Sequence, residues 1–196
     1  MTIASAAVGL AVAFVAAAAV MPSAHADPVV KETFDYYDID GTTAADVRAD
    51  LNRRGPLDSN EHRRFDAVTR WHVRWHFSFK TVAGNCAIAT ASTSVDVTYA
   101  FPRFSPDSSA PVALRQAFAQ YSERLMVHEK GHAQTAIDIA SRIEDGIRNL
   151  PPTSTCARLG EIADGVGHAL IKEANRIDID YDARTEHGKT QGARFP

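Results

Sequence analysis

The segment RLMVHEKGHAQTAI, residues 124–137, holds two histidines four residues apart, with a glutamate directly after the first. On a helix that spacing puts His128 and His132 on one face, about one turn apart, where both imidazoles can bind a single zinc ion. Glu129 projects about 100° round the helix from His128. From there it can take a proton from a zinc-bound water and pass it to a leaving amine, which is the chemistry of peptide-bond hydrolysis. The plainer alternative is a pair of core histidines whose nitrogens are satisfied by neighbours. Burying two imidazoles side by side is costly unless both are hydrogen-bonded or bound to metal, so the pattern favours zinc, with Glu129 as the catalytic group.

Such a site needs a third protein ligand and an open position. Asp138 does not qualify, because Thr135 stands where a glycine would break the helix and Asp138 falls on its far side. His72 and His76 cannot serve together, since four strand residues separate them by about 13 Å. His168 lies opposite the apolar stripe of the last helix and reads as solvated. The residues themselves leave open Glu173, near the middle of that stripe as in thermolysin-like enzymes, and His187 in YDARTEHGKTQGA, with Asp182 also within the same motif. Gly188 would let the loop carrying His187 come close, and Asp182 could hold that histidine's second nitrogen.

The elements that must position these groups follow from hydrophobic period. TFDYYDID (33–40) reads as a strand, Thr42 or Thr43 caps a helix through AADVRADLNRR, and Gly55-Pro56 stops it. Residues 57–67 read as irregular. From Trp71 to Phe79 five apolar residues alternate with polar ones, which makes a strand, and a second extended stretch follows from Cys86 to Tyr99. The proline-rich 101–111 reads as a loop. From Pro111 the period becomes helical: Leu114, Phe118, Tyr121, Leu125, His128, His132, Ile139, Ile143 and Ile147 form one stripe, ending before Pro151-Pro152. Thr155 can cap a last helix with the stripe Leu159, Ile162, Val166, Leu170 and Ile177, and the polar residues 178–196 read as a loop. The fold expected is α+β: a small antiparallel sheet packed on a long helix that bears the histidines, with a second C-terminal helix, zincin-like in arrangement.

The bulk properties agree with one domain. The chain has 196 residues, 45% hydrophobic, and a net charge of −3 without a basic run, which argues against nucleic acid as a partner. Residues 1–26 look like a secretory signal peptide: Leu10–Val20 is an unbroken apolar run too short to span a bilayer, and Ala24-His25-Ala26 is a small-x-small cleavage site. The n-region carries no Lys or Arg. The mature domain would then be 27–196, secreted or periplasmic, with no stable membrane association after cleavage. After export the only two cysteines, Cys86 and Cys156, meet an oxidising environment in which they can pair.

YYDIDGTTAADVRADLNRRGP, HEKGH, Cys156 after the Pro-Pro turn and YDARTEHGKTQGA together resemble a family of bacterial proteins catalogued as predicted secreted zinc-dependent proteases, a domain otherwise of unknown function. The resemblance covers nearly all of residues 33–195. It implies that the C-terminal motif is part of the site, which moves the third ligand to His187 over Glu173, and it makes the two cysteines look like a structural pair. The expected function is an exported zinc (Zn2+) metallopeptidase acting on a peptide or protein, with His128, His132 and His187 on the metal and Glu129 activating the water. His76, Arg74 or Tyr181 could stabilise the oxyanion, and the edge of the 71–79 strand could hold an extended substrate. The competing expectation is a non-catalytic zinc-binding envelope protein that works through protein partners.

Overall fold

The computed structural model describes residues 27–58, 62–105 and 108–196. The expected signal peptide, 1–26, lies outside them. Five strands and three helices follow one another as β1 (Val29–Ile39), α1 (Ala44–Arg54), β2 (Leu57–Asp58), β3 (Arg63–Arg64), β4 (Val68–Val82), β5 (Asn85–Phe104), α2 (Val112–Arg148) and α3 (Cys156–Thr185). A short 3-10 turn, Lys189–Gln191, comes after α3. No helix among the described residues is long and apolar enough to cross a membrane.

The local chemistry behaves as the sequence suggests at several ends. Thr43 caps α1, its hydroxyl accepting from the Asp46 amide while the Asp46 carboxylate accepts from the Thr43 amide. Thr155 caps α3 with a single bond, its hydroxyl accepting from the Arg158 amide. Within the run expected to be irregular, β2 and β3, two residues each, pair antiparallel as Leu57↔Arg64 and Asp58↔Arg63.

The main sheet has the order β1-β5-β4 and is mixed, not wholly antiparallel. β4 and β5 form an antiparallel hairpin with an irregularity at Ser78/Phe79, whereas β1 lies parallel to β5 over an unbroken register from Val29↔Ser94 to Ile39↔Phe104. The direction of β1 relative to a strand 56 positions later is set by the path of the intervening chain, which no alternation of side chains encodes. β5 also runs on to Phe104, through Pro102, where a loop was expected. Pairing with β4 begins only at Val68↔Ala100, so at Pro102 the strand has a neighbour on one side alone, a place where a missing N–H is tolerated.

Val95, Val97 and Tyr99 of β5 face α2 and pack with Ile139, Ile143 and Ile147 in a core that also takes Leu159, Ala163 and Ala174 of α3. A second cluster joins Ile39, Val47 and Leu51 to Phe118, Tyr121, Leu125 and Phe195. The expected α2 stripe is buried from Phe118 to Ile147, both histidines included, and Leu114 is half-buried against the second cluster. Cys86 and Cys156 form a disulfide, and backbone hydrogen bonds between Cys86 and Thr153 fasten the same corner.

Candidate metal centre

The histidines sit midway along α2, where its buried stripe passes under the C-terminal half of α3. His128, Glu129 and His132 are 3%, 3% and 9% exposed, so their polar atoms depend on protein partners. Those partners come from a stretch expected to be a loop. α3 continues to Thr185, two turns past Ile177, and its last turns carry Asp178, Tyr181 and Asp182 against α2.

Each imidazole is held at its Nδ1. His128 Nδ1 donates to Gln191 Oε1 at 3.1 Å, and His132 Nδ1 donates to Asp178 Oδ1 at 3.1 Å. Asp178 is steadied in turn by Trp71, whose Nε1 donates to Oδ2 at 2.7 Å. Gln191 is oriented by donating from Nε2 to the Tyr181 hydroxyl at 3.0 Å, and the Tyr181 ring stacks on His128 at 5.1 Å with planes 10° apart. With both Nδ1 atoms so occupied, both Nε2 atoms turn toward one point. They lie 3.1 Å (His128) and 3.2 Å (His132) from Asp182 Oδ1.

His128, His132 and Asp182 thus form a group whose donor atoms all lie within 4.8 Å of one another. Two imidazoles and a carboxylate are a donor set that zinc accepts, and the outer partners on both histidines are those expected of metal-bound imidazoles. The electrostatics say the same. Burial alone would lower the pKa of His132, but hydrogen bonds to Asp178 and Asp182 raise it to about 10, so two carboxylates are directed at one ring. Burial acts to raise Asp182, yet its bonds to His128 and His132 hold it well below the usual carboxylate range. Two carboxylates thus surround the paired imidazoles, an arrangement that could hold a metal ion.

His187, expected as the third ligand, stands beside this group rather than within it. Its Nδ1 lies 3.4 Å from the same Asp182 Oδ1, and its Nε2 is 2.8 Å from Arg63 Nη2. The anticipated contact between His187 and Asp182 is present, but Asp182 is the partner nearer the other two histidines. Glu173, the alternative, points to solvent and makes a two-pronged ion pair with Arg142 at 2.7 and 3.0 Å. His168 is exposed and meets Trp75 edge-on. His72, Arg74 and His76 are exposed on the sheet face away from α2, because the alternate residues Val73, Trp75 and Phe77 pack on the core. Of the three oxyanion candidates only Tyr181 reaches the site.

Glu129 occupies the flank toward β4. Thr69 Oγ1 donates to its Oε2 at 2.6 Å, and burial drives its pKa upward against that bond. A cleft opens beside it, lined by Leu57, Val68, Thr69, Arg70 and Trp71 on one side and by Asn175 and Asp178 of α3 on the other.

Two glycines make the site compact. A Cβ on Gly131 would fall 2.1 Å from the Tyr181 hydroxyl, and one on Gly188 would fall 3.0 Å from His128 Cβ. Around Gly188 the backbone is strained: Glu186 and His187 both adopt positive φ, 49° and 52°, before Gly188 itself at 82°. Non-glycine residues in this region cost about 1–3 kcal/mol each and persist where surrounding structure enforces them.

Asp178, Asp182 and Gln191 are the site residues that sequence reasoning missed or placed in a lesser role. A signal was present, since 178, 182 and 185 continue the inward stripe of 159, 163, 167 and 174 at steps of three, four or seven. One family model matches residues 34–188, that of the bacterial proteins of unknown function DUF922, and its span includes His128, Glu129, His132, Asp178, Asp182 and His187. No curated protein and no solved structure matches the chain.

Proposed function

We propose that this chain, which belongs to the DUF922 family, is an exported zinc-dependent metallopeptidase of zincin-like arrangement. The observation that carries the reading is the pair of Nδ1 bonds, to Gln191 and Asp178, which aim both Nε2 atoms at Asp182 with Glu129 buried alongside. His128, His132 and Asp182 would hold the ion, and His187 would position Asp182 from outside. The zinc would supply Lewis acidity toward water and a peptide carbonyl.

The remaining chemistry belongs to the chain. Glu129, kept dry and fixed by Thr69, accepts the water's proton and returns it to the leaving nitrogen; a raised pKa suits a group that must do both near neutrality. The cleft between β4 and α3, lined by the Thr69 that bonds Glu129, would take an extended peptide, and among the described residues β4 is an edge strand with no neighbour on its outer side, where that peptide can pair. Tyr181 is the candidate for the oxyanion. Export accords with the Cys86–Cys156 disulfide.

Glu129→Gln tests this directly. The amide keeps the shape but cannot take the proton, so bound zinc, measured by elemental analysis, should stay at the wild-type level. Peptide-library turnover should fall by about 10²–10⁴. Wild-type turnover in that variant would refute the catalytic assignment.

One observation favours the second reading, a zinc-binding envelope protein without activity. All three helix residues of the motif are almost fully buried, as in a closed structural site, and the Asp182 side chain is only 27% exposed. One tightly held zinc, with no cleavage of any library peptide at any pH, would establish that reading instead.

A further inference from the structure

The edge of the sheet opposite β4 has a different character. β1 is 11 residues long and pairs with β5 without a register shift. Among the described residues its other side has no strand neighbour. Apolar side chains accompany that open edge: Val30 is 39% exposed, Phe34 40% and Tyr36 45%. Phe34 stacks on Tyr36 with centroids 5.6 Å apart, forming a continuous aromatic strip. Long regular edges of this kind are normally bulged, shortened, charged or covered, because their unpaired backbone groups invite another strand. Here Lys31 is the one basic residue in β1, with Glu32, Asp35 and Asp38 as its acids.

We propose that β1 pairs with β1 of a second copy, antiparallel about a twofold axis at Thr33, to join two three-stranded sheets into one. An axis perpendicular to the sheet requires opposed residues to point to the same face, so only registers centred on a residue are allowed. Centring on Thr33 sets Lys31 opposite Asp35 of the other copy twice over, Val30 opposite Tyr36 twice, and Glu32 beside Phe34. Centring on Asp35 would oppose Glu32 to Asp38. Centring on Glu32 or Phe34 sets Lys31 opposite Thr33 or Tyr37, with no acid of the second copy facing it, although Asp96 lies across from Lys31 within its own sheet. Lys31 and Asp35 are both exposed and have no ion-pair partner within the described residues of their own chain. The charge pattern of β1 is therefore self-complementary in one register, and that register also sets the exposed Val30 against the exposed Tyr36 of the other copy. The metal-binding face, on the far side of the sheet at β4, stays open in such a dimer.

Sedimentation equilibrium of the disulfide-bonded protein tests the pairing. The chain should be a dimer, and Lys31→Asp, which sets two acids against two acids, should raise the dimer dissociation constant about 10- to 100-fold. Asp35→Lys should have a similar effect. The double exchange Lys31→Asp with Asp35→Lys rebuilds both pairs and should return the constant to within about threefold of wild type. An unchanged far-ultraviolet circular dichroism spectrum shows that each variant is folded, while its melting temperature falls with the weaker association. A monomer at every concentration, as when the edge serves a different partner, would overturn the proposal. A dimer indifferent to Lys31→Asp, or one that the double exchange fails to restore, would do the same.

Discussion

At its start α3 meets the rest of the protein through Cys156, Leu159, Ala163 and Gly167; about three turns beyond Gly167 the same inward stripe carries Asp178, Asp182 and Thr185. The first end is held by a disulfide and by contacts so close that a Cβ on Gly167 would fall 2.5 Å from the Trp75 ring. The second end is held by hydrogen bonds to imidazoles and by the Tyr181 ring stacked on His128. Anchoring and chemistry are thus separated along one rigid rod, and the anchored end fixes where the polar end falls. A single helix can place a carboxylate over α2 because its other half cannot slide.

The largest effect expected from breaking this division lies at the chemical end. Asp182→Ala should weaken zinc binding more than about 100-fold, exceeding the usual loss from an outer partner. His187→Ala should cost about 10–100-fold as such a partner, and Glu173→Ala less than about threefold, since it removes only a solvent-facing ion pair. Competition with a chelator of known affinity ranks the three. If His187→Ala proved the most damaging, the roles of His187 and Asp182 would have to be exchanged.

At the anchored end, replacing both cysteines by serine opens a loop of 70 residues and should cost about 4 kcal/mol in urea unfolding. Zinc affinity of the fraction still folded should change little. A large loss of zinc affinity with intact stability would contradict the separation.

Asp178→Ala should reduce zinc affinity about 10–100-fold without altering the ligand count, because His132 loses the partner that orients it. X-ray absorption at the zinc edge can count the ligands.

The smallest effects distinguish the two halves by glycine. Gly167→Ala should destabilise the fold by about 1–3 kcal/mol through crowding against Trp75, offset in part by better helix propensity. Gly131→Ala should instead displace Tyr181 and shift zinc affinity more than thermal stability. Equal changes in both measurements for both variants would erase the distinction.

Much of this molecule is legible in its amino-acid order. The alternation of 71–79, the helical stripe of α2, both threonine caps and the position of His128, Glu129 and His132 on a buried face all follow from short-range period and capping, because the physics concerned acts within a few residues. The disulfide follows from there being only two cysteines, once export is assumed. The inward face of α3 was harder to see. Its inward residues are small (Ala163, Gly167, Ala174) and then polar (Asp178, Asp182), whereas the large apolar residues Ile162, Val166 and Ile177 lie to one side and stop short of the helix end. Polarity there does not mean exposure, because these carboxylates turn inward to bond the buried imidazoles. Three further features are decided only by the tertiary structure. The parallel placement of β1, the tolerance of Pro102 beyond the end of β4, and the convergence of Asp182, His187 and Gln191 on α2 all depend on residues far apart in the chain. Local propensity cannot specify such contacts, because they exist only after the sheet and the two long helices have packed.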